Sequence, residues 1–378
     1  MKIALVANST WNIYNFRLNV IDKLLAEGHE VIVIAPIDEY VEYKEQYPTV
    51  QHVNLRTLDR DSTNPLKDMV LVAELIRKYK KLKPDLILHY TNKPNIFGGI
   101  ASKMAGVPSI AMVTGLGYAF IHKGWIRDVT TKLYQFVAKY HEKFIFENIE
   151  DRELFDSLGI TKGDQGVSIK GCGVNTTYYH PYPNGQMTPG EKVNFTFIGR
   201  LLYDKGIGEY VAAAKIIKEK YPYVTFSIVG ELDPDNPATV DKEDLVGWTA
   251  NDIVKYYGFQ KDVRPFIAKS DCIVLPSYRE AIPRTITEGM AMGKPVITTD
   301  TAGCREAVDI GQNGYLAEVR STSSLRKVFE QFINLTAEAR HKMGELGRQK
   351  AVNEFDDRKI AADIYTQIEL ILDQNTIN

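Results

Sequence analysis

The sequence predicts two consecutive doubly wound α/β units, each built on a parallel sheet. Short runs rich in Val and Ile recur without polar alternation, the mark of strands buried on both faces. Longer amphipathic stretches separate them, as the crossovers between parallel strands require. The alternation weakens once, at "HPYPNGQMTPGEK" (180–192), where Pro181, Pro183, Gly185, Pro189 and Gly190 make a linker composition. A chain of 378 residues is also long for one core.

Taken in order, "KIALVA" (2–7) reads as a strand and "FRLNVIDKLLAEG" as a helix ended by Gly28. "EVIVIAP" (30–36) is the next strand, and the basic helix "LVAELIRKYKKLK" leads to "DLILHY" (85–90). "PSIAMVT" and "KFIFENI" continue the pattern. Beyond the linker, "NFTFIGR", "VTFSIVG", "CIVLPS", "PVITTD" and "GYLAEV" are strands with helices between them. The last segment, "DRKIAADIYTQIELILDQ", has helical period and no strand after it. These boundaries predict domains at 1–183 and 192–355, with a helix at 356–378 packing back on the first. Ligands of open α/β sheets bind beyond the carboxyl ends of the strands, so the expected site is a cleft between the two sheets.

Composition narrows the function. With 44% hydrophobic and 25% charged residues the chain reads as an ordinary globular protein. A net charge of −2 gives no global reason to bind nucleic acid. Cys172, Cys272 and Cys304 are too widely separated for a disulfide framework or a zinc spacing, which fits a reducing compartment. "MKIALVANS" has too short an apolar core for a signal peptide, and no run approaches ~18 apolar residues. A cytoplasmic protein without a membrane span is expected.

Dinucleotide and phosphate-loop fingerprints fail. "GLGYAF" (115–120) and "GCGVNT" (171–176) lack a third glycine, and "VANSTWNIYNFR" has none. "GMAMGK" is one residue short of a Walker A loop, with Pro295 where Ser or Thr belongs. "FIGRLLYDKG" (197–206) is more informative: a strand ends at Gly199, Arg200 and Lys205 follow, and a helix begins near Ile207. Two cations at a sheet's carboxyl end, beside a helix N-terminus, suit a diphosphate. In "EAIPRTITEGMAMGKPVITTD" Glu280 lies just past a buried strand and Glu288 about one and a half turns into a helix that Pro283 begins. Carboxylates accept hydrogen bonds from paired hydroxyls, and the amides of Arg284 and Thr285 suit an anion or a sugar oxygen. Alone, each cation reads equally as a surface charge, Glu280 as a cap and Glu288 as a solvated residue. Together they read as a grip on a nucleotide sugar.

This combination resembles the retaining glycosyltransferases of family 4, which have the GT-B fold: two Rossmann-like domains with an interdomain cleft. The resemblance rests on the Glu, seven residues, Glu hallmark after "VLPS", on "GR…KG" (199–206), "GFQKDV" (258–263), "AMGKPVITTD" and "NGYL" (313–316). It implies that Gly199, Arg200 and Lys205 receive the donor diphosphate, Glu288 the ribose hydroxyls and Glu280 the donor sugar. It further implies base contacts around Phe259 and a cradle from Ile282, Arg284 and Thr285. Glu280, Arg200 and Lys205 would carry catalysis. The donor would be a UDP-sugar, without cofactor or obligatory metal because the cations replace it. Two departures stand out: Glu280-Ala281-Ile282 replaces the common Glu-Gly-Phe, and Gly115 and Gly117 stand where many members carry a histidine. His122, nearby, reads as a surface or structural histidine.

In the N-terminal half, "NIYNFRLNVI", "PIDEY", "NPLKD" and "HYTNKPNIFGGIASKMAG" resemble bacterial transferases of lipid-linked oligosaccharide assembly. That likeness implies N-acetylgalactosamine or galactose transfer to a saccharide on undecaprenyl diphosphate, in capsule, lipopolysaccharide or glycoprotein pathways. Asn15, Arg17, Lys93, Asn95, Gly117 and Tyr118 would face this acceptor, with Tyr14 beside them. A lipid acceptor requires membrane contact, and "GWIRDVTTKLYQFVAKYHEKFIF" (124–146) mixes aromatics and cations as an interfacial helix does. The expected location is then peripheral, on the inner face of the cytoplasmic membrane. Two other readings use the same pocket: a UDP-sugar 2-epimerase of this fold and a non-catalytic nucleotide-sugar sensor.

Overall fold

A computed structural model describes residues 1–59, 64–117, 120, 124–182, 192–234 and 236–377. The chain divides into two compact units, Met1–Gly173 with Asp357–Asn378, and Val174–Asp356.

Unit 1 holds a seven-stranded sheet of β1 (Lys2–Val6), β2 (Glu30–Ala35), β3 (Gln51–Asn54), β4 (Leu86–Tyr90), β5 (Ser109–Val113), β6 (Lys143–Phe146) and β7 (Gly166–Ser168). Its order is β3-β2-β1-β4-β5-β6-β7, parallel throughout, so the winding reverses between β1 and β4. The apolar runs occupy its buried middle, where Leu5 lies between Val33 and Leu88. The expected first helix, from Phe16 to Gly28, forms as α2 (Leu18–Ala26), and a helix that was not expected, α1 (Thr10–Phe16), precedes it across Arg17 (φ −127°, ψ 0°). Ser9 caps α1 by accepting from the Asn12 N–H.

The segment 124–146 is not one helix. α3 (Trp125–Val137) gives way to a 3₁₀ turn at Ala138–Tyr140 and then to β6. Tyr134 and Val137 of α3 are core residues, whereas Trp125 (70% exposed), Val129 and Phe136 face solvent. The helix Asp357–Ile377 closes the unit. Its Ile360, Ile364, Ile368, Ile371 and Leu372 form one stripe that joins Val20, Ile21 and Leu24 of α2 in the core. Burying each such side chain contributes about 1.5–3 kcal/mol.

Unit 2 holds a six-stranded sheet of β8 (Asn194–Ile198), β9 (Thr225–Val229), β10 (Lys255–Tyr256), β11 (Cys272–Leu275), β12 (Val296–Thr299) and β13 (Gly314–Ala317). Its order is β10-β9-β8-β11-β12-β13, again parallel, with the reversal between β8 and β11. The Phe195 ring stacks on Phe226 at 5.2 Å and meets Phe329 at 4.5 Å, tying the sheet to the helix Thr322–Ile333. Residues 174–182, counted with the first domain on composition, lie in unit 2, where Val174 and Tyr179 join the core. The remainder of the proline-rich stretch, 183–191, lies outside the described residues. Among the described residues no helix is long and apolar enough to cross a membrane.

A polar cluster is buried in unit 1. The His89 and His141 rings meet edge to face at 5.5 Å. His89 Nε2 shares a hydrogen bond with the Tyr79 hydroxyl at 3.0 Å, and His141 Nε2 donates to Asn95 O at 2.8 Å. Burial holds both imidazoles neutral, pushing His141 down to about 4 and His89 well below the ordinary 6.5. The unfolded chain therefore binds the extra protons, so stability is present above pH 6.5 and is lost as pH falls towards 4. Urea unfolding of unit 1 should weaken by up to about 1.4 kcal/mol per pH unit for each histidine in that window. His89→Gln should remove about half of this pH dependence.

Candidate functional site

β8 and β11 are neighbours at the reversal of unit 2's sheet, so the loops leaving them rise side by side from one edge. From β8 the chain runs through Gly199 and Arg200 to a 3₁₀ turn, Tyr203–Lys205, and then α4 (Ile207–Lys220). Gly206 lies between them at φ +73°, where an added Cβ would stand 1.9 Å from Pro276 O. Only glycine lets the two loops touch backbone to backbone. The Tyr278 N–H donates to Asp204 O at 2.9 Å, and the Ser277 hydroxyl donates to the same oxygen at 3.2 Å. The cation loop and the carboxylate loop are thus one assembly.

Three ion pairs stand on it. Lys205 Nζ lies 2.5 Å from Glu280 Oε1, Arg200 Nη1 2.6 Å from Asp233 Oδ2, and Arg284 Nε 2.8 Å from Glu288 Oε1. Two of these pairs join residues far apart in sequence, 75 positions for Lys205 and Glu280 and 33 for Arg200 and Asp233. Glu288 is not solvated: it lies 7% exposed in α5 (Arg284–Ala291), with Tyr179 as a hydrogen-bond partner. Burial raises its carboxyl above the ordinary range, and Arg284 opposes that rise. Pro283 is the N-cap of α5 and gives its first-turn amides no side-chain acceptor. Ile282 is buried beside it, and Thr285 is half-buried. Phe259, in the loop after β10, is 53% exposed.

Two partners were not singled out in the sequence. Asp233 follows β9, and its position past a strand's carboxyl end is the one signal that marks it. Tyr179 lies just before the stretch that reads as linker, 180–192, and nothing local marks it.

Of the residues expected to face an acceptor, unit 1 buries two, Arg17 and Asn95. Arg17 is not presented to a ligand: it is 2% exposed, Nη1 lies 3.0 Å from Glu147 Oε1, and the guanidinium sits 4.5 Å from the Tyr90 ring centroid. Burial raises the Glu147 carboxyl, and Arg17 opposes the shift. Asn95 is fully buried and donates to Met112 O at 3.1 Å. Lys93 Nζ donates to Asp59 O at 2.8 Å and to Asp68 Oδ1 at 3.0 Å. Asn15 is half-buried, donating to Trp11 O at 3.0 Å. Gly117 is exposed at φ +62°, with Asn92 Nδ2 as its near neighbour. Tyr118 and His122 lie outside the described residues.

Comparison with known proteins agrees over both units. The family model described as glycosyl transferases group 1 matches residues 183–350, and one described as glycosyl transferase 4-like matches 2–148. The N,N'-diacetylbacillosaminyl-diphospho-undecaprenol α-1,3-N-acetylgalactosaminyltransferase of Campylobacter jejuni is 30% identical over 346 residues, 86% of this chain and 87% of the relative. The UDP-Gal:α-D-GlcNAc-diphosphoundecaprenol α-1,3-galactosyltransferase of Escherichia coli is 27% identical over 77% of this chain and 76% of its own length. Among solved structures, Anabaena Alr3699/HepE in complex with UDP aligns with a TM-score of 0.77 at 20% identity, covering 98% of this chain and 100% of that one. Sucrose-phosphate synthase from Thermosynechococcus elongatus aligns with a TM-score of 0.82 at 19% identity, covering 99% and 100%. These likenesses show the GT-B fold.

Removing Arg17 strands Glu147 as a buried charge, so Arg17→Ala should cost about 3–5 kcal/mol in urea unfolding. Arg17→Met with Glu147→Leu should recover most of that loss.

Proposed function

The chain belongs to the group 1 glycosyl transferases, and on that premise we propose that it is a retaining, metal-independent enzyme that uses a UDP-sugar. It moves a hexose or N-acetylhexosamine, with N-acetylgalactosamine and galactose the best fits, onto a saccharide carried by a polyprenyl diphosphate. The product belongs to bacterial surface-polysaccharide or glycoprotein glycan assembly. The activities named for the Campylobacter and Escherichia relatives support this choice of donor and acceptor.

The observation that carries the proposal is the set of ion pairs at one edge of unit 2's sheet: Lys205 with Glu280, Arg284 with Glu288, and Arg200 with Asp233. Arg200 and Lys205 neutralise the diphosphate, and the uncapped start of α5 adds its partial positive charge. Glu288 accepts from the ribose hydroxyls and Glu280 from the donor sugar. The bond from the anomeric carbon to the diphosphate oxygen breaks as the acceptor oxygen bonds on the same face. The acceptor's proton passes to the departing phosphate oxygen. Lys205 and Arg200 act where charge develops on that leaving group, an interaction stronger in the transition state than before it.

Calorimetry with UDP tests the donor site. Arg200→Ala with Lys205→Ala should weaken binding by about two orders of magnitude or more, given about 1.5–3 kcal/mol for each charged hydrogen bond. Glu288→Ala should weaken UDP binding, whereas Glu280→Ala should chiefly lower turnover. Wild type that binds no UDP would overturn the reading, and donor turnover with and without an acceptor separates transfer from epimerisation or sensing.

For the acceptor side, exposed Trp125, Val129 and Phe136 on α3, with Lys139 5.2 Å from the Phe136 ring, support contact with an anionic membrane surface. The protein should sediment with anionic vesicles at low salt and less so at high salt. Trp125→Ala with Phe136→Ala should reduce that binding, and sedimentation equal to wild type would exclude α3 as the contact.

A further inference from the structure

The loop that carries Glu280 has little regular structure of its own. Residues 276–283 run between β11 and α5 without helix or strand. A second segment, the turn leaving β12, is laced along it. Inside the sheet Leu275 pairs with Thr298, whose hydroxyl donates to Leu275 O at 2.7 Å. The Thr299 hydroxyl donates to Ser277 O, and the Thr301 hydroxyl donates to Tyr278 O at 3.1 Å. Each rung takes a backbone carbonyl nearer to Glu280.

The lacing ends at Gly303, φ +71°, ψ −43°. An added Cβ there would stand 1.3 Å from Ala281 O and 2.7 Å from Glu280 O. The turn therefore presses its bare backbone against the peptide that follows Glu280, an approach open only to glycine. The next residue, Cys304, is fully buried, with the hydroxyls of Thr298 and Thr299 as hydrogen-bond partners. Burial pushes its thiol up to about 12, so no second anion forms near Glu280.

We propose that Thr301 and Gly303 are positioning residues for donor turnover, fixing the height and direction of the Glu280 carboxylate through the carbonyls of Tyr278, Glu280 and Ala281. The proposal rests on the reading that Glu280 engages the donor sugar. They act on the Glu280 loop's backbone and not on substrate. A carboxylate that must meet particular hydroxyls needs a support accurate to about 0.5 Å, and a misplacement of about 1 Å costs about a hundredfold in rate. Lys205, at the far end of the Glu280 side chain, supplies a tether but cannot set the backbone from which that side chain springs. The rungs and the glycine contact supply that setting from the opposite side of the loop.

The test uses the full-length protein and its Thr301→Val, Thr301→Ser and Gly303→Ala variants, each checked by thermal unfolding. Calorimetry gives affinity for UDP. Cleavage of UDP-N-acetylgalactosamine, UDP-galactose, UDP-N-acetylglucosamine and UDP-glucose gives kcat and KM. Thr301→Val and Gly303→Ala should lower kcat by about 10–100-fold while UDP affinity stays within about threefold of wild type. Thr301→Ser, which keeps the hydroxyl, should return kcat to within about threefold. Unchanged kcat in Thr301→Val, or UDP affinity falling in step with kcat, would overturn the positioning role. If Gly303→Ala does not fold, the Thr301 pair decides alone. Wild type that binds no UDP, or cleaves none of the four donors, overturns the donor reading instead, and this inference with it.

Discussion

The adjacency of β8 and β11 governs the rest of unit 2. Because the winding reverses between them, two loops share the space above their ends. The loops share it by touching at Gly206 and Pro276, closer than any side chain would permit. Lys205 on one loop is thereby set against Glu280 on the other, before any ligand arrives. A side chain on Gly206 would part the loops and separate the charges.

Ion pairs of two kinds carry this protein, and their burial separates them. The Lys205–Glu280 and Arg200–Asp233 pairs are partly open to water, so the attraction within each is modest and an incoming anion can compete for the cation. Arg17 and Glu147 are closed off, with the Arg17 guanidinium over the Tyr90 ring, and breaking the pair leaves an uncompensated charge. The first kind is exchangeable and suits a ligand. The second is fixed and suits the interior.

That distinction explains what the sequence made legible. Strands such as "KIALVA" and "CIVLPS" are read easily because central parallel strands are apolar on both faces. β3, β7 and β10 escaped because edge strands of two to four residues, such as Gln51–Asn54, carry polar side chains towards water. The break at Arg17 is hidden because Ile13, Val20, Ile21 and Leu24 keep apolar spacing across it. Arg200, Lys205, Glu280 and Glu288 were legible because their positions relative to strand ends can be counted. Their partners Asp233 and Tyr179 were not, since pairing across loops leaves no period. Arg17 and Asn95 were misread for one reason: a polar side chain looks like surface until its buried partner, Glu147 or the Met112 carbonyl, is known.

The course of the chain also has a consequence for biosynthesis. Unit 2 is one uninterrupted run, Val174–Asp356, and has all its strands once that run leaves the ribosome. Unit 1 is made first but lacks the isoleucine stripe of Asp357–Ile377 until after unit 2 has been synthesised. During translation the outer side of α2 therefore stays bare and apolar for the time needed to make an entire second unit, at about 5–20 residues per second. The first unit to emerge is the last to be finished, and a nascent chain in that state presents a surface for chaperones to hold.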